Sequence, residues 1–315
     1  MRKIILDCDP GMDDSMAIIM AAKSPALELI AITTVAGNYP VEVTSVNACK
    51  TLELIGRAGI PVARGMEKPL VRQAPRDPFT HGRDGQAEAF LPAPAKKLDS
   101  RNAVDLIIEE VRKNPGEIYL ISTAPMTNLA AAMEKDPGIK PLIPGIIAIS
   151  GAFGLNSCAF LNATGGTPQS EWNVFVDPEA AQAVYQSGVP LTAIGLDIAA
   201  NFDVDFSDQD CGLLKNSSRP EAAFLMRAID FTRGRGYQAY TAVIDCLAVA
   251  YAIDPTLIHT IEGRVGVETH GEISLGMTIY ERRLHHGWES LPIIRIGDRA
   301  DFPRFIQMIM DAIQS

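Results

Sequence analysis

The 315-residue chain has no window approaching the roughly eighteen uncharged apolar residues of a membrane span. In the opening "MRKIILDCD" the apolar stretch stops at an acid after three residues, far too short for the core of a secretion signal. Cysteine is sparse. The five, at positions 8, 49, 158, 211 and 246, are odd in number, scattered and without a CxxC pair, so neither a disulfide framework nor a thiolate metal site is expected. A reduced, cytoplasmic setting follows as the expectation. Positive charge is also short, with 28 Lys and Arg against 38 Asp and Glu and a net charge of −10, which argues against nucleic acid or an anionic membrane as partner. GxSxG, HExxH and P-loop patterns are missing, as are repeats with a period of 20 to 50 residues and low-complexity blocks. A small neutral substrate, or one held through a metal, fits what is left.

What the chain does contain is alternation. Short β-branched runs ("KIIL", "LELIAITTV", "IPVAR", "EIYLIS", "GIIAIS", "VPLTAIG", "RVGVE", "LPIIRIG") are separated by amphipathic stretches such as "DDSMAIIMAAKS", "NAVDLIIEEVRKNP" and "DPEAAQAVYQSG". Such alternation builds βαβ units, so residues 1–315 are expected to form a single α/β domain. Its sheet would be Rossmann-like, open and mostly parallel, with helices on both faces. Pro115, Pro137, Gly188 and Pro255 stand where helices should stop. Two irregular zones, 66–99 and 153–172, interrupt the pattern and are candidate walls or lids of a site.

The densest chemistry is "LDCDPGMDDSMAI", residues 6–18, which places Asp7, Asp9, Asp13 and Asp14 within eight positions behind an apolar strand. Carboxylates so crowded repel one another by roughly a kcal/mol per pair at near-surface dielectric, so the cluster calls for a cation. A strand over residues 3–7 brings Asp7 and Asp9 to its C-terminal end, and the "PG" turn leads Asp13 and Asp14 into the first turn of a helix. Ligands of open α/β sheets bind in the crevice beyond those strand ends, so all four acids are expected at one mouth. Oxygen donors without a nearby Cys or His point to Ca²⁺ or Mg²⁺. A cation so held can orient and acidify a water while a carboxylate takes its proton, which makes a hydrolase without a Ser or Cys nucleophile.

These residues resemble the calcium-dependent nucleoside hydrolases, which cut the N-glycosidic bond of ribonucleosides. "DCDPGMDD" is similar to that family's DxDPGxDD fingerprint. The likeness continues through "AITTVAGN" (31–38), "HGRDG" (81–85), "ISTAPMTNLAAAM" (121–133), "AISGAF" (148–153), "TPQSEWNVFVDPEAA" (167–181), "DCLAVAYAIDP" (245–255) and "GMTIYERR" (276–283). The resemblance implies one Ca²⁺ per chain, bound by Asp9, Asp14, the backbone carbonyl of Thr123 and Asp245. It implies Asp9 as general base, Asp13 and Asn38 near the ribose 2′-hydroxyl, Asp245 and Asn173 near the 3′-hydroxyl and Glu171 near the 5′-hydroxyl. Asp7 would stand behind these acids and orient them, and a homodimer or homotetramer would be the assembly. Surrounding carboxylates also suit an oxocarbenium-like ribosyl cation.

The chain departs from that pattern at the base side. Ile244 occupies the position where many members carry a histidine that protonates the leaving base, and an isoleucine transfers no proton. His81, Tyr237 and Tyr240 are the candidates left for that task. Gly165 stands where an Asn is expected near the 5′-hydroxyl, with Asn162 close by in sequence. Two other readings stay open at this level. One is a non-catalytic nucleoside or ribose binder, motivated by Ile244. The other is a DxD phosphatase using Asp7, against which stands Gly11 where Thr or Val would be required.

Overall fold

The opening run RKIILDC forms strand β1 (Arg2–Cys8), buried from Ile4 onward. A strand covered on both faces must be apolar on both, which is why the alternation of polar and apolar residues seen in half-exposed strands is missing here. Ile4, Leu6 and Cys8 enter one core with the helices Met12–Lys23, Val41–Leu54, Cys246–Ile253 and Phe302–Gln314. Ile5 enters the other, with the helices Ala103–Lys113, Thr127–Lys135 and Pro178–Tyr185. Helices therefore cover both faces of the sheet. The computed structural model describes residues 1–75, 80–283 and 287–314, so residues 76–79 of the first irregular zone lie outside the described residues.

Seven further strands complete the sheet: β2 (Leu27–Thr34), β3 (Val62–Arg64), β4 (Ile118–Ser122), β5 (Ile146–Ile149), β6 (Leu191–Ile194), β7 (Ile258–Gly263) and β10 (Ile294–Ala300). Their order is β3-β2-β1-β4-β5-β6-β10-β7, parallel except where β7 runs antiparallel to β10 at the edge. The expected mostly parallel α/β sheet is thus present. "RVGVE", read above as one of the alternating runs, forms β8 (Val265–Val267) outside that sheet and pairs with β9 (Thr278–Tyr280). With β7 already at the edge and turning directly into β8, the chain pairs again outside the main ladder.

Strand order reverses at β1, which has β2 on one side and β4 on the other. That switch point opens a crevice at the strand C-terminal ends. The Thr123 N–H donates to the Asp7 carbonyl (2.9 Å), so the chain leaving β4 is tied to the end of β1. Helix starts are fixed by side chains: Asn102 accepts from the Asp105 N–H (2.9 Å) and Asp177 from the Ala180 N–H (3.0 Å), with Pro178 opening its helix.

Phe305 is fully buried and meets Phe202 edge-on at 5.7 Å; Phe202 in turn stacks on Phe302 (4.1 Å) and on Tyr240 (4.3 Å). This aromatic stack couples the C-terminal helix to the short helical turn Ala239–Val243. Phe305→Ala is expected to lower folding stability by about 3–5 kcal/mol in chemical unfolding, because it leaves a cavity under that stack. A loss below about 1 kcal/mol would show that the stack carries little of the fold.

Candidate active site

The first six residues after β1 make the floor of the site. Gly11 precedes the helix Met12–Lys23, and Asp14 in its first turn accepts the Gly11 N–H (3.0 Å) and the Asp9 N–H (3.3 Å). The Thr123 hydroxyl donates to the same carboxylate (2.7 Å), so β1, β4 and the helix all converge on Asp14. Asp9 turns the other way, its Oδ2 accepting the Asn38 N–H at 2.6 Å. Its Oδ1 is buried and has no hydrogen-bond partner among the described residues. Gly37 makes that approach feasible: a Cβ there would collide with Asp9 Oδ2.

Asp245, expected early in a helix, is the residue before Cys246–Ile253. It joins Asp13 and Asp14 in a group whose oxygens all lie within 4.8 Å of one another. Burial, reinforced by mutual repulsion, holds Asp9 and Asp245 well above the ordinary carboxylate range. Burial likewise pushes Asp13 and Asp14 up to about 6. Oxygen-only donors, an unsatisfied buried carboxylate oxygen and mutually repelling acids are the conditions a hard divalent cation relieves. The site fits such an ion.

Asp7 is held by its neighbours on β2 and the helix Thr127–Lys135. Its Oδ1 accepts from Thr33 (2.6 Å) and Asn128 (2.7 Å), and burial pushes it to about 7. Like Asp9 and Asp14 it is buried and absent from the lining of the cleft, and with Thr33 and Asn128 on its Oδ1 nothing supports it as a phosphoryl acceptor.

The cleft above this floor holds about 600 Å³. Asp13, Asn38, His81, Thr123, Glu171, Asn173 and Asp245, singled out from sequence, all line it. The Asn173 amide donates to the Thr123 carbonyl (3.2 Å) and the Ile149 carbonyl (3.0 Å), tying the loop after β5 to the end of β4. Glu171 begins the helix Trp172–Val176, where its carboxylate accepts the N–H groups of Asn173 (2.7 Å), Val174 (3.1 Å) and Gly151 (3.1 Å); burial raises it to about 7. The His81 ring lies against Gly11, where a Cβ would come within 2.6 Å, and its Nδ1 faces the Met12 N–H and Asp13 Oδ1, each at 3.4 Å.

Both candidate tyrosines, Tyr237 and Tyr240, line the cleft, as do Ile244 and Asn162. Gly165 has no room for the expected Asn, because a Cβ there would collide with the Ser170 hydroxyl. Among the lining residues that reasoning from sequence did not name are Trp172, Leu161, Leu196, Ala199 and Ala200. The irregularity of 153–172 flags the first two, and the position of residues 196–200 just beyond β6 marks the others.

The chain belongs to the inosine-uridine preferring nucleoside hydrolase family, whose profile matches residues 4–307. It is by class an N-glycosyl hydrolase of ribonucleosides. It is 34% identical to an inosine-uridine preferring nucleoside hydrolase of Leishmania major, over 99% of this chain and 98% of that one. It is also 34% identical to the pyrimidine-specific ribonucleoside hydrolase RihA of Shewanella sp. (strain ANA-3), over 99% and 96%. The solved purine-preferring ribonucleoside hydrolase of Gardnerella vaginalis superposes with a TM-score of 0.84 at 31% identity, covering 99% of this chain and 98% of that one.

Gly37→Ala is expected to displace the Asp9 carboxylate and lower base release by roughly a hundredfold with the fold retained, read as turnover and melting temperature together. Near-normal turnover would show that Asp9 does not need this position. In the metal-stripped protein the raised acids bind protons folded that they release unfolded, so stability falls as pH rises from about 4 through about 6 and beyond. Melting of chelator-treated protein is expected to drop between about pH 5 and pH 8, and calcium to restore it most at the upper end. Equal melting at both pH values would contradict this electrostatic account.

Proposed function

We propose that this protein hydrolyses ribonucleosides to ribose and free base, with one Ca²⁺ bound by Asp9, Asp14, Asp245 and the Thr123 carbonyl. The observation that carries the reading is the convergence of Asp13, Asp14 and Asp245, the first and last of which line the cleft, together with the unsatisfied oxygen of the buried Asp9. Calcium bound there would supply an acidified, oriented water and a hold on the ribose hydroxyls.

The chain's own residues do the rest. Asp9, fixed by the Asn38 N–H, accepts a proton from the attacking water at its free Oδ1. Asp13 and Asn38 take the 2′-hydroxyl, Asp245 and Asn173 the 3′-hydroxyl and Glu171 the 5′-hydroxyl. Glu171 has three backbone N–H groups on its carboxylate, so it meets the sugar as a rigid acceptor. Negative charge around the sugar stabilises the ribosyl cation as the C1′–N bond lengthens. Asp7, held by Thr33 and Asn128, keeps β1 and its acids in register.

No helix among the described residues is long and apolar enough to cross a membrane. A single-domain cytoplasmic enzyme, working as a homodimer or homotetramer on a small substrate, is the setting that goes with this reading.

Base release from a panel of nucleosides is expected to stop with chelator and to return with calcium. Asp9→Ala is expected to lose at least about a hundredfold in turnover while folding normally. Chelator-resistant turnover, or an Asp9→Ala enzyme with near-normal rates, would sink the proposal.

A further inference from the structure

A neutral nucleoside leaves its ring nitrogen with the bonding electron pair, so the base departs as an anion unless a proton arrives. Few side chains lining this cleft could deliver one, the exposed Tyr237 phenol among them. Ile244, next to Asp245, offers a branched alkyl surface, and Leu161, Ala199 and Ala200 also line the cleft. Among the described residues no Lys or Arg lines the cleft. His81, its lining imidazole, has Nδ1 turned to Met12 and Asp13 at the sugar end. Tyr240 is fixed in the aromatic stack on Phe202, and burial raises its phenol above the usual range, so it keeps its proton.

The same cleft is well equipped for a cation. Beyond the acids already assigned to the ion and the sugar, three aromatic rings, Trp172, Tyr237 and Tyr240, line it. Aromatic faces attract a flat cationic ring, by about 0.5–2 kcal/mol per contact depending on desolvation.

We propose that this enzyme is built for ribosides of cationic heteroaromatic bases, of the pyridinium or N-alkylated purine type. The inference rests on the hydrolase reading above and specifies its substrate class. Water adds to C1′, the C1′–N bond breaks, and the electron pair neutralises the ring nitrogen, which was positive in the substrate. The leaving base is then a neutral molecule that needs no proton, and the proton lost by the water goes to Asp9 and on to solvent. The step balances as riboside cation plus water giving ribose, neutral base and one proton. An isoleucine before Asp245 is no handicap to that chemistry.

The test compares wild-type enzyme, with calcium, on nicotinamide riboside, uridine and inosine. The expected kcat/KM is at least about tenfold higher for nicotinamide riboside, about 1.4 kcal/mol in transition-state binding. Calorimetry with the Asp9→Ala protein is expected to give nicotinamide riboside at least about tenfold tighter binding than uridine. Ile244→His, which restores a possible proton donor, is expected to lower the preference by about tenfold, chiefly by raising turnover of uridine or inosine. Uridine or inosine cleaved as fast as nicotinamide riboside by the wild-type enzyme overturns the inference and leaves the hydrolase reading standing. An unchanged preference in a folded Ile244→His enzyme overturns the role given to Ile244. No cleavage of any of the three overturns both readings.

Discussion

Carboxylates buried side by side govern this structure. Asp9, Asp14 and Asp245 are almost wholly removed from water, Asp13 lies beside them, and without a counter-charge each raises the cost of ionising the others. Such a cluster is tolerable where the surroundings fix it and protons or a cation offset its charge. The surroundings are visible in the hydrogen bonds. The Thr123 hydroxyl and two backbone N–H groups restrain Asp14, the Asn38 N–H restrains Asp9, and Asn173 ties the Thr123 carbonyl to the end of β5.

Those restraints come from topology before they come from side chains. β1 lies at the point where strand order reverses, so the loops leaving it and its neighbours β2 and β4 open toward the same crevice. Two close approaches then depend on missing Cβ atoms. Gly37 lets Asn38 reach Asp9, and Gly11 lets His81 lie against the first turn of the helix. Strength at the sheet mouth is therefore bought by small residues in the loops and apolar ones in the strands beneath.

Much of this was legible in the sequence because its signals were local. The β-branched runs mark the strands of the sheet, and "DCDPGMDD" marks the acid cluster through composition alone. Asp245 and Thr123 were different: one reads as an ordinary helix-start acid and the other as a loop residue, and only the family motifs single them out. β8 was read as one of the alternating runs because its apolar pattern carries no information about which sheet has a free edge. For Asp7 the strand geometry suggested the mouth and the family resemblance a place behind the other acids; its partners Thr33 and Asn128 are both distant in sequence. The walls contributed by Trp172, Leu161 and residues 196–200 depend on how loops fold over the strand ends, which no periodicity encodes.

The cleft is thus lined by two kinds of surface. One is the set of oxygen donors that includes Asp13, Glu171 and Asp245, the other the apolar and aromatic side chains that include Ile244, Leu161 and Trp172. The central claim concerns the first, that a single hard cation completes the acids and receives the sugar. A crystal structure of the protein grown with calcium and ribose tests it most directly. The account predicts one calcium ion bonded to Asp9, Asp14, Asp245 and the Thr123 carbonyl, with ribose hydroxyls in its remaining positions. Ribose bound with no ion among these residues, or calcium bound only elsewhere, would contradict it.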